Sequence, residues 1–310
     1  MELKELLQKK IDRLDSVPDN LLSAIEKQNQ ILFKQLLREL GTLEIKDGKV
    51  VASKENLSKI NAIIQNLQNV FFGKEYVEAI KTFAKEIGEQ AKINNKILEK
   101  TVGTFDDDEL FKALVQKSQQ NSLMLLDENA VRSELLQPLS DAMTNAIASN
   151  STFADVVDIL RDKMVGENST FAKYAKTYVK DAFTISDRVY TNAINEKHGI
   201  VFFRYSGGTI EGTRDFCDER AGGYYHIKEI EKWGEGINTD KSKFEFPKYL
   251  YTTKSGVKIY WAGMHYETNR STIKNLLGGY ECRHIPAGVV TESVPKEWVQ
   301  RAINLGFYKE

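Results

Sequence analysis

Apolar residues recur three and four positions apart through most of the first 198 residues, after which the spacing shortens. The first interval puts one apolar stripe along a helix, so this part of the chain is predicted to be helical. Residues 3–15 and 20–40 are expected to form two helices, the second carrying Leu21, Leu22, Ile25, Leu32, Leu36 and Leu40 before Gly41 stops it. Residues 43–53 alternate instead around Asp47-Gly48, a pair that readily takes the positive φ angles of a tight turn. A small β-hairpin is therefore predicted near 43–52. Ser53 is placed to cap a helix running through Phe71 and Phe72, and another is expected over about 74–100. The acids of 101–109 suit a helix N-terminus, and further helices are predicted at about 108–121, 128–149, 152–164 and 169–197. Pro138 is expected to kink the 128–149 helix.

The last of these helices carries one continuous apolar stripe from Phe171 through Tyr178, Phe183 and Tyr190 to Ile194. Asp187, Arg188, Thr191 and Asn192 lie beside the stripe, and His198-Gly199 ends the helix; it reads as a core helix joining two regions. From Gly199 the pattern becomes that of strands. Residues 200–208 are an aromatic and β-branched run closed by two glycines, which predicts a buried strand. A loop is expected next, then a strand at Tyr224–His226, a short helix over 227–233, and strands within 246–256 and at 257–263. A short helix ended by Gly278-Gly279, an extended segment from Cys282 to Val290 and a final helix starting near Pro295 complete the chain.

The predicted class is thus α+β: a helix-rich N-terminal two-thirds followed by a small α+β C-terminal domain with short strands. The expected division is a helical region at 1–168 and a second domain at 169–310, the latter made of the long helix 169–198 and an α+β part over 199–310. Composition sharpens this boundary. Of 20 glycines 14 follow His198, as do both cysteines and all three tryptophans, so the turns and the reactive side chains crowd at one end. The chain has 310 residues, enough for two domains, and a net charge of −1, which excludes a generally basic nucleic-acid coat. Its first residues, MELKELLQKK, are charged and not apolar, so neither a secretory leader nor a membrane span is expected.

Candidate chemistry concentrates in the four residues Cys217, His226, Cys282 and His284, types that bind zinc through sulfur and imidazole nitrogen. No Cys-x-x-Cys knuckle accompanies them. Three other readings stay open at this stage. A Cys217–Cys282 disulfide would close a loop of about 65 residues and constrain the unfolded chain by about 4 kcal/mol. Two buried free thiols are the plainest alternative. A cysteine activated by His226, His265 or His284 would make a nucleophile pair, although neither cysteine lies in a nucleophile motif. A metal-free nuclease is the further possibility, pairing a histidine with Glu229, Arg214 or Lys228 as base, acid and phosphate clamp. Tyr224, Tyr225, Tyr249 and Tyr251 are of a type that stacks on bases, but such aromatics more often pack a glycine-rich core.

Gly199-Ile200 and Tyr205, then Thr213-Arg214-Asp215-x-Cys217, Gly222-Gly223, Glu229-Ile230, Trp233 and finally Cys282-Arg283-His284 form an ordered set over roughly 170–290. This set resembles the phage Mu F-like minor head proteins, the phage head morphogenesis domain. In that family a helix leads into a strand, then an Asp-x-Arg-Thr-Cys-x-x-Cys segment with a glycine downstream, and the domain ends in His-Pro-x-Cys-Arg-Cys. Here Arg220 stands where the family has its second cysteine, Gly279-Tyr280 where it has His-Pro, and His284 where it has the last cysteine. The family-motif residues of this chain are Thr213, Arg214, Asp215, Gly223, Trp233 and Arg283.

The resemblance implies a virion protein that is not an enzyme, sitting inside the head or at the portal vertex and present in the host cytoplasm during assembly. It implies contacts with portal protein and other head proteins, in head assembly and genome delivery; the amphipathic helices of the first 150 residues separately offer surfaces for a portal subunit or for self-association. It also implies a structural clasp between the Cys217 loop and the Cys282 strand, and no required cofactor, zinc being the one metal the residues would suit. DNA contact would be weak and local, at Leu6–Arg13 or the lysine-rich segment 241–258. Related phage proteins carry nuclease or toxin modules, so a small metal-independent nuclease in the C-terminal domain, with His226 or His284 catalytic, is the alternative function.

Overall fold

The computed structural model describes residues 2–103, 109–124, 126–149, 151–166, 169–209, 213–235, 248–252, 258–261, 264–265, 268–280 and 282–309. The protein is a helix-rich α+β chain whose strands are short and antiparallel, and most lie in the C-terminal part. It forms two compact units, each discontinuous in sequence. One comprises residues 15–88 and 117–182, the other 1–14, 89–116 and 183–310. The sequence boundary expected at 168/169 falls inside the first of these.

A single helix α1 (Leu3–Leu40) replaces the two predicted helices. Pro18 lies within it; its ring fixes a helical φ and removes only one backbone hydrogen bond, and both Val17 and Pro18 are buried. Burial therefore outweighs the breaker signal that divided this segment in the sequence.

In the unit built from 15–88 and 117–182, Leu21, Ile25, Leu32, Leu36 and Leu40 of α1 are all buried, the stripe read from their spacing. The predicted hairpin is present as β1 (Ile45–Lys46) and β2 (Lys49–Val50), with Asp47 at φ 52° and Gly48 at φ 73°. Helix α2 (Lys54–Phe71) is capped by Ser53, whose side chain accepts from Asn56 N. Fully buried Asn56 then ties the hairpin to the helix, donating to the Glu44 and Val51 carbonyls and accepting from Glu44 N. Helices α3 (Lys74–Val102) and α4 (Glu109–Met124) each contribute residues to both units.

The stretch predicted as 128–149 is α5 (Glu128–Val131), a π-turn at Arg132–Leu136 and α6 (Gln137–Ala148). Pro138 has no N–H to continue the ladder. The preceding turn widens, so that Gln137 N bonds to Arg132 O, and the chain absorbs the proline as a π-bulge. Helix α7 (Phe153–Met164) opens with a capping box between Thr152 and Asp155. Helix α8 (Thr170–Lys197) follows.

The other unit holds a three-stranded antiparallel sheet in the order β4 (Tyr224–His226), β3 (Phe202–Ser206), β7 (Ile285–Val289). Phe203 faces Tyr225 and Gly288, while Phe202 faces His226 and Val289. Alternation along β3 thus divides two small cores. Phe203 and Tyr205 enter one with Phe216, Cys217, Tyr225, Ile230, Ile273, Leu277 and Cys282. Phe202 enters the other with Val294 and with Ala302 of the C-terminal helix α12 (Lys296–Asn304). Between the strands lie α9 (Asp215–Asp218), α10 (Ile227–Trp233) and α11 (Ile273–Leu276). The one-turn helix α9 corrects the loop expected there. A separate hairpin pairs β5 (Lys248–Thr252) with β6 (Lys258–Trp261). Among the described residues no helix is long and apolar enough to cross a membrane.

Candidate functional site

Three of the four predicted cysteine and histidine residues converge. Cys217 rides on α9, a single turn that follows Arg214, and is 3% exposed. Cys282 and His284 lie in the extended segment before β7 and are 4% and 5% exposed. Residues two apart in extended chain share a face, so both side chains reach the same point. The two sulfurs are 3.7 Å apart, and Cys282 Sγ is 3.9 Å from His284 Nδ1. Ligand atoms of all three residues fall within 4.8 Å of one another. At 3.7 Å the sulfurs are not bonded, because a disulfide needs about 2.05 Å; the cysteines are free thiols.

Tyr205 of β3 closes the group. Its hydroxyl donates to Cys217 Sγ at 3.3 Å, and its ring stacks on His284 with centroids 5.0 Å apart. Burial holds the Tyr205 phenol well above the usual tyrosine range. Hydrogen bonding with Cys282 and burial push the Cys217 thiol up, while the hydrogen bond from Cys217 and the charge of Arg188 hold Cys282 well below the ordinary range.

Two glycines make the space. A Cβ on Gly278 would strike Cys217 Sγ and come within 3.2 Å of Cys282 Sγ. Gly207, at φ 153°, has His284 in the place a Cβ would fill, with the nearest ring atom 2.5 Å away.

Arg188, 1% exposed on α8, positions the segment that carries two of the three side chains. Its guanidinium donates to the carbonyls of Asn275, Leu276, Cys282 and His284, so one side chain ties α8 to α11 and to the approach of β7. Asp187 turns elsewhere. Its carboxylate takes Lys10 Nζ at 3.0 Å and accepts from Gln90 and Asn94 at 3.1 and 2.8 Å, all within the same unit. Adjacent acid and base on α8 therefore serve two separate networks and do not form a pair.

The remaining predicted residues are placed as follows. His226 caps α10, its Nδ1 accepting from Lys228 N, and packs edge-on to Phe202 with centroids 5.3 Å apart; it belongs to the other small core and lies outside the cysteine cluster. Thr213 is half-buried ahead of α9, and Asp215 is exposed on it. Arg214 donates to the Tyr280 carbonyl at 2.7 Å, binding the α9 turn to the segment before Cys282. Gly223 accepts from Tyr205 N at 2.9 Å and leaves room for the Tyr225 ring, which a Cβ would meet. Trp233 packs edge-on against Tyr205, Phe216 and Tyr225. Arg283 is exposed. Arg220 stacks its guanidinium on Phe216 and Trp233, 4.1 and 4.8 Å from the ring centroids.

Other expectations are corrected. Glu229, foreseen as a catalytic acid or base, is 7% exposed and paired with Arg301, whose Nε lies 3.1 and 3.3 Å from its two oxygens. Lys10, part of a candidate phosphate patch, is buried against Asp187, and Arg13 donates to Gln90 at 3.0 Å. The second patch, 241–258, lies largely outside the described residues. Gly207, Gly278 and Arg188 are not among the site residues read from the sequence, and Tyr205 stands there only in the set that carries the family resemblance. The signal at Arg188 is a charge beside an apolar helical stripe.

Comparison with models of protein families, with curated proteins and with solved structures returns no match.

Proposed function

We propose that this protein is a phage minor head protein, acting near the portal vertex in head assembly and genome delivery through protein–protein contacts. One observation carries the reading. The two segments that resemble the head morphogenesis motif, separated by 65 positions between Cys217 and Cys282, come together in a single clasp. Arg214 to Tyr280, Cys217 to Cys282 and Trp233 against the shared core are contacts between motif residues or their neighbours. That geometry supports a structural role for these residues.

The reading places the protein in the virion, with portal and other head proteins as partners and the host cytoplasm as the place of assembly. Self-association is part of it, and DNA contact is a minor, local component. The alternative, a metal-independent nuclease, rests on His226 and His284. Both are buried, and His226 is committed to a helix cap, which favours the structural role. The test is to mix the purified protein with portal protein from the same genome and measure co-sedimentation and mass by light scattering. A complex of defined stoichiometry is expected. Failure to associate at both low and moderate salt would refute the portal-vertex role and bring a nuclease assay forward.

A further inference from the structure

We propose that Cys217, Cys282 and His284 hold one thiophilic divalent metal ion, zinc by its ligand chemistry, as a structural centre that locks helix α9 to the segment entering β7. The inference stands apart from the minor-head reading and rests on geometry.

Zinc–sulfur bonds of about 2.3 Å in a tetrahedron place two thiolates about 3.8 Å apart. The Cys217 and Cys282 sulfurs are 3.7 Å apart, and the imidazole nitrogen facing Cys282 is 3.9 Å from its sulfur. All three side chains are more than nine-tenths buried, and the imidazole nitrogen that faces Cys282 is Nδ1. Three soft or borderline donors gathered in a buried pocket are the kind of ligand set that a structural zinc ion takes.

The surroundings also suit a metal. Gly278 and Gly207 clear the volume beside both sulfurs and the imidazole. Arg188 fixes the carbonyls of Cys282 and His284, which sets the backbone from which two ligands project. Tyr205 Oη lies 3.3 and 4.0 Å from the two sulfurs, and it is placed to supply the fourth ligand or to hydrogen-bond a water that does so. Two thiolates and one imidazole with tetrahedral spacing suit zinc and exclude magnesium and calcium, which require oxygen ligands.

The full chain is purified with a phosphine reductant, its metal content measured by mass spectrometry, and the metal then removed with a chelator. Cobalt(II) and zinc(II) are titrated back. The expected result is about one zinc per chain, a cobalt spectrum with thiolate charge-transfer bands and the visible bands of a tetrahedral ion, and a melting temperature that rises on reloading. Cys217→Ser, Cys282→Ser and His284→Asn should each lose the metal, while His226→Asn, outside the cluster, keeps it. Should the cluster variants fail to fold, the intensity of the charge-transfer band in the wild type still counts the thiolate ligands, and two are expected. A reduced wild-type chain, folded by circular dichroism, that gives neither a charge-transfer band nor a zinc-dependent melting shift would overturn the proposal. Recovery of a Cys217–Cys282 disulfide from zinc-saturated protein would do the same.

Discussion

The carbonyl of His284 accepts two hydrogen bonds from Arg188, from Nε at 3.1 Å and from Nη2 at 2.7 Å. The planar guanidinium meets this carbonyl and those of Cys282, Asn275 and Leu276 together, which an ammonium on a flexible stem does not reproduce. A buried cation satisfied only by carbonyl oxygens is held by dipoles, and no carboxylate pairs with it among the described residues.

Replacing Arg188 should therefore be among the most damaging single changes in this unit. Arg188→Met removes the charged donor from the buried Cys282 and His284 carbonyls and from those of Asn275 and Leu276, and hydrogen bonds to charged groups contribute about 1.5–3 kcal/mol each, so a loss of at least about 3 kcal/mol is expected. Arg188→Lys keeps the charge and should lose less. Urea unfolding midpoints of the three proteins decide the matter, and a loss below about 1 kcal/mol for the methionine variant would remove this arginine from its assigned role.

Lys10 and Asp187 form a pair whose side chains are 6% and 1% exposed. Removing one partner leaves the other charge buried, and such single changes cost about 3–5 kcal/mol. Lys10→Met and Asp187→Asn are each expected to destabilise strongly. The double variant should be less unstable than the sum, with a coupling of about 1–3 kcal/mol in a double-mutant cycle. Strict additivity would mean that the two charges do not interact.

Steric room at Gly278 gives a third test. Gly278→Ala drives a methyl into both cysteine sulfurs, and overpacking of this kind costs about 1–3 kcal/mol. The variant should melt lower and expose its thiols to Ellman's reagent faster than wild type. Gly208→Ala, where a Cβ meets nothing within 4 Å, serves as the control and should change stability by no more than about 0.5 kcal/mol. Equal behaviour of the two variants would contradict the packing described here.

Burial, reinforced by Lys228, lowers the pKa of His226 from its ordinary 6.5 to about 4. Because the unfolded chain then binds a proton that the folded chain refuses, stability is flat above pH 6.5 and falls as pH drops toward 4. His265 is lowered to about 4 by burial and by Arg188 and Arg214, and it adds to the loss over the same interval. His226→Asn retains an acceptor for Lys228 N, so its unfolding free energy should decline less steeply between pH 6.5 and 4 than that of wild type. An unchanged slope would show that His226 does not titrate on unfolding.

Local order was largely legible in the chain. Spacing gave the stripe Leu21, Ile25, Leu32, Leu36 and Leu40, Asp47-Gly48 gave the hairpin, Ser53 gave the cap, and the aromatic run gave β3. These depend on backbone preferences and on one face being buried, both of which act over a few residues. Where packing overrode them the reading failed. Pro18 stays inside α1 because Val17 and Pro18 are buried, and the turn before Pro138 widens into a π-bulge.

The residue types that could form a site were visible too: Cys217, Cys282 and His284 were singled out from their chemistry. Their meeting point was not, since α9 and the segment before β7 are joined only by a fold that spans 65 positions between the two cysteines. Tyr205, Gly207, Gly278 and Arg188 complete the site; spacing places each on its own element, but no short-range pattern brings those elements together. His226, identical in type to His284, was assigned to the same group by sequence and sent by β4 to the opposite core. Sequence by itself determined the helix-rich α+β class and the chemical alphabet of its C-terminal part. Only tertiary structure decided which of those residues share a point in space, because contacts between distant segments follow from sheet register and the burial of whole side chains.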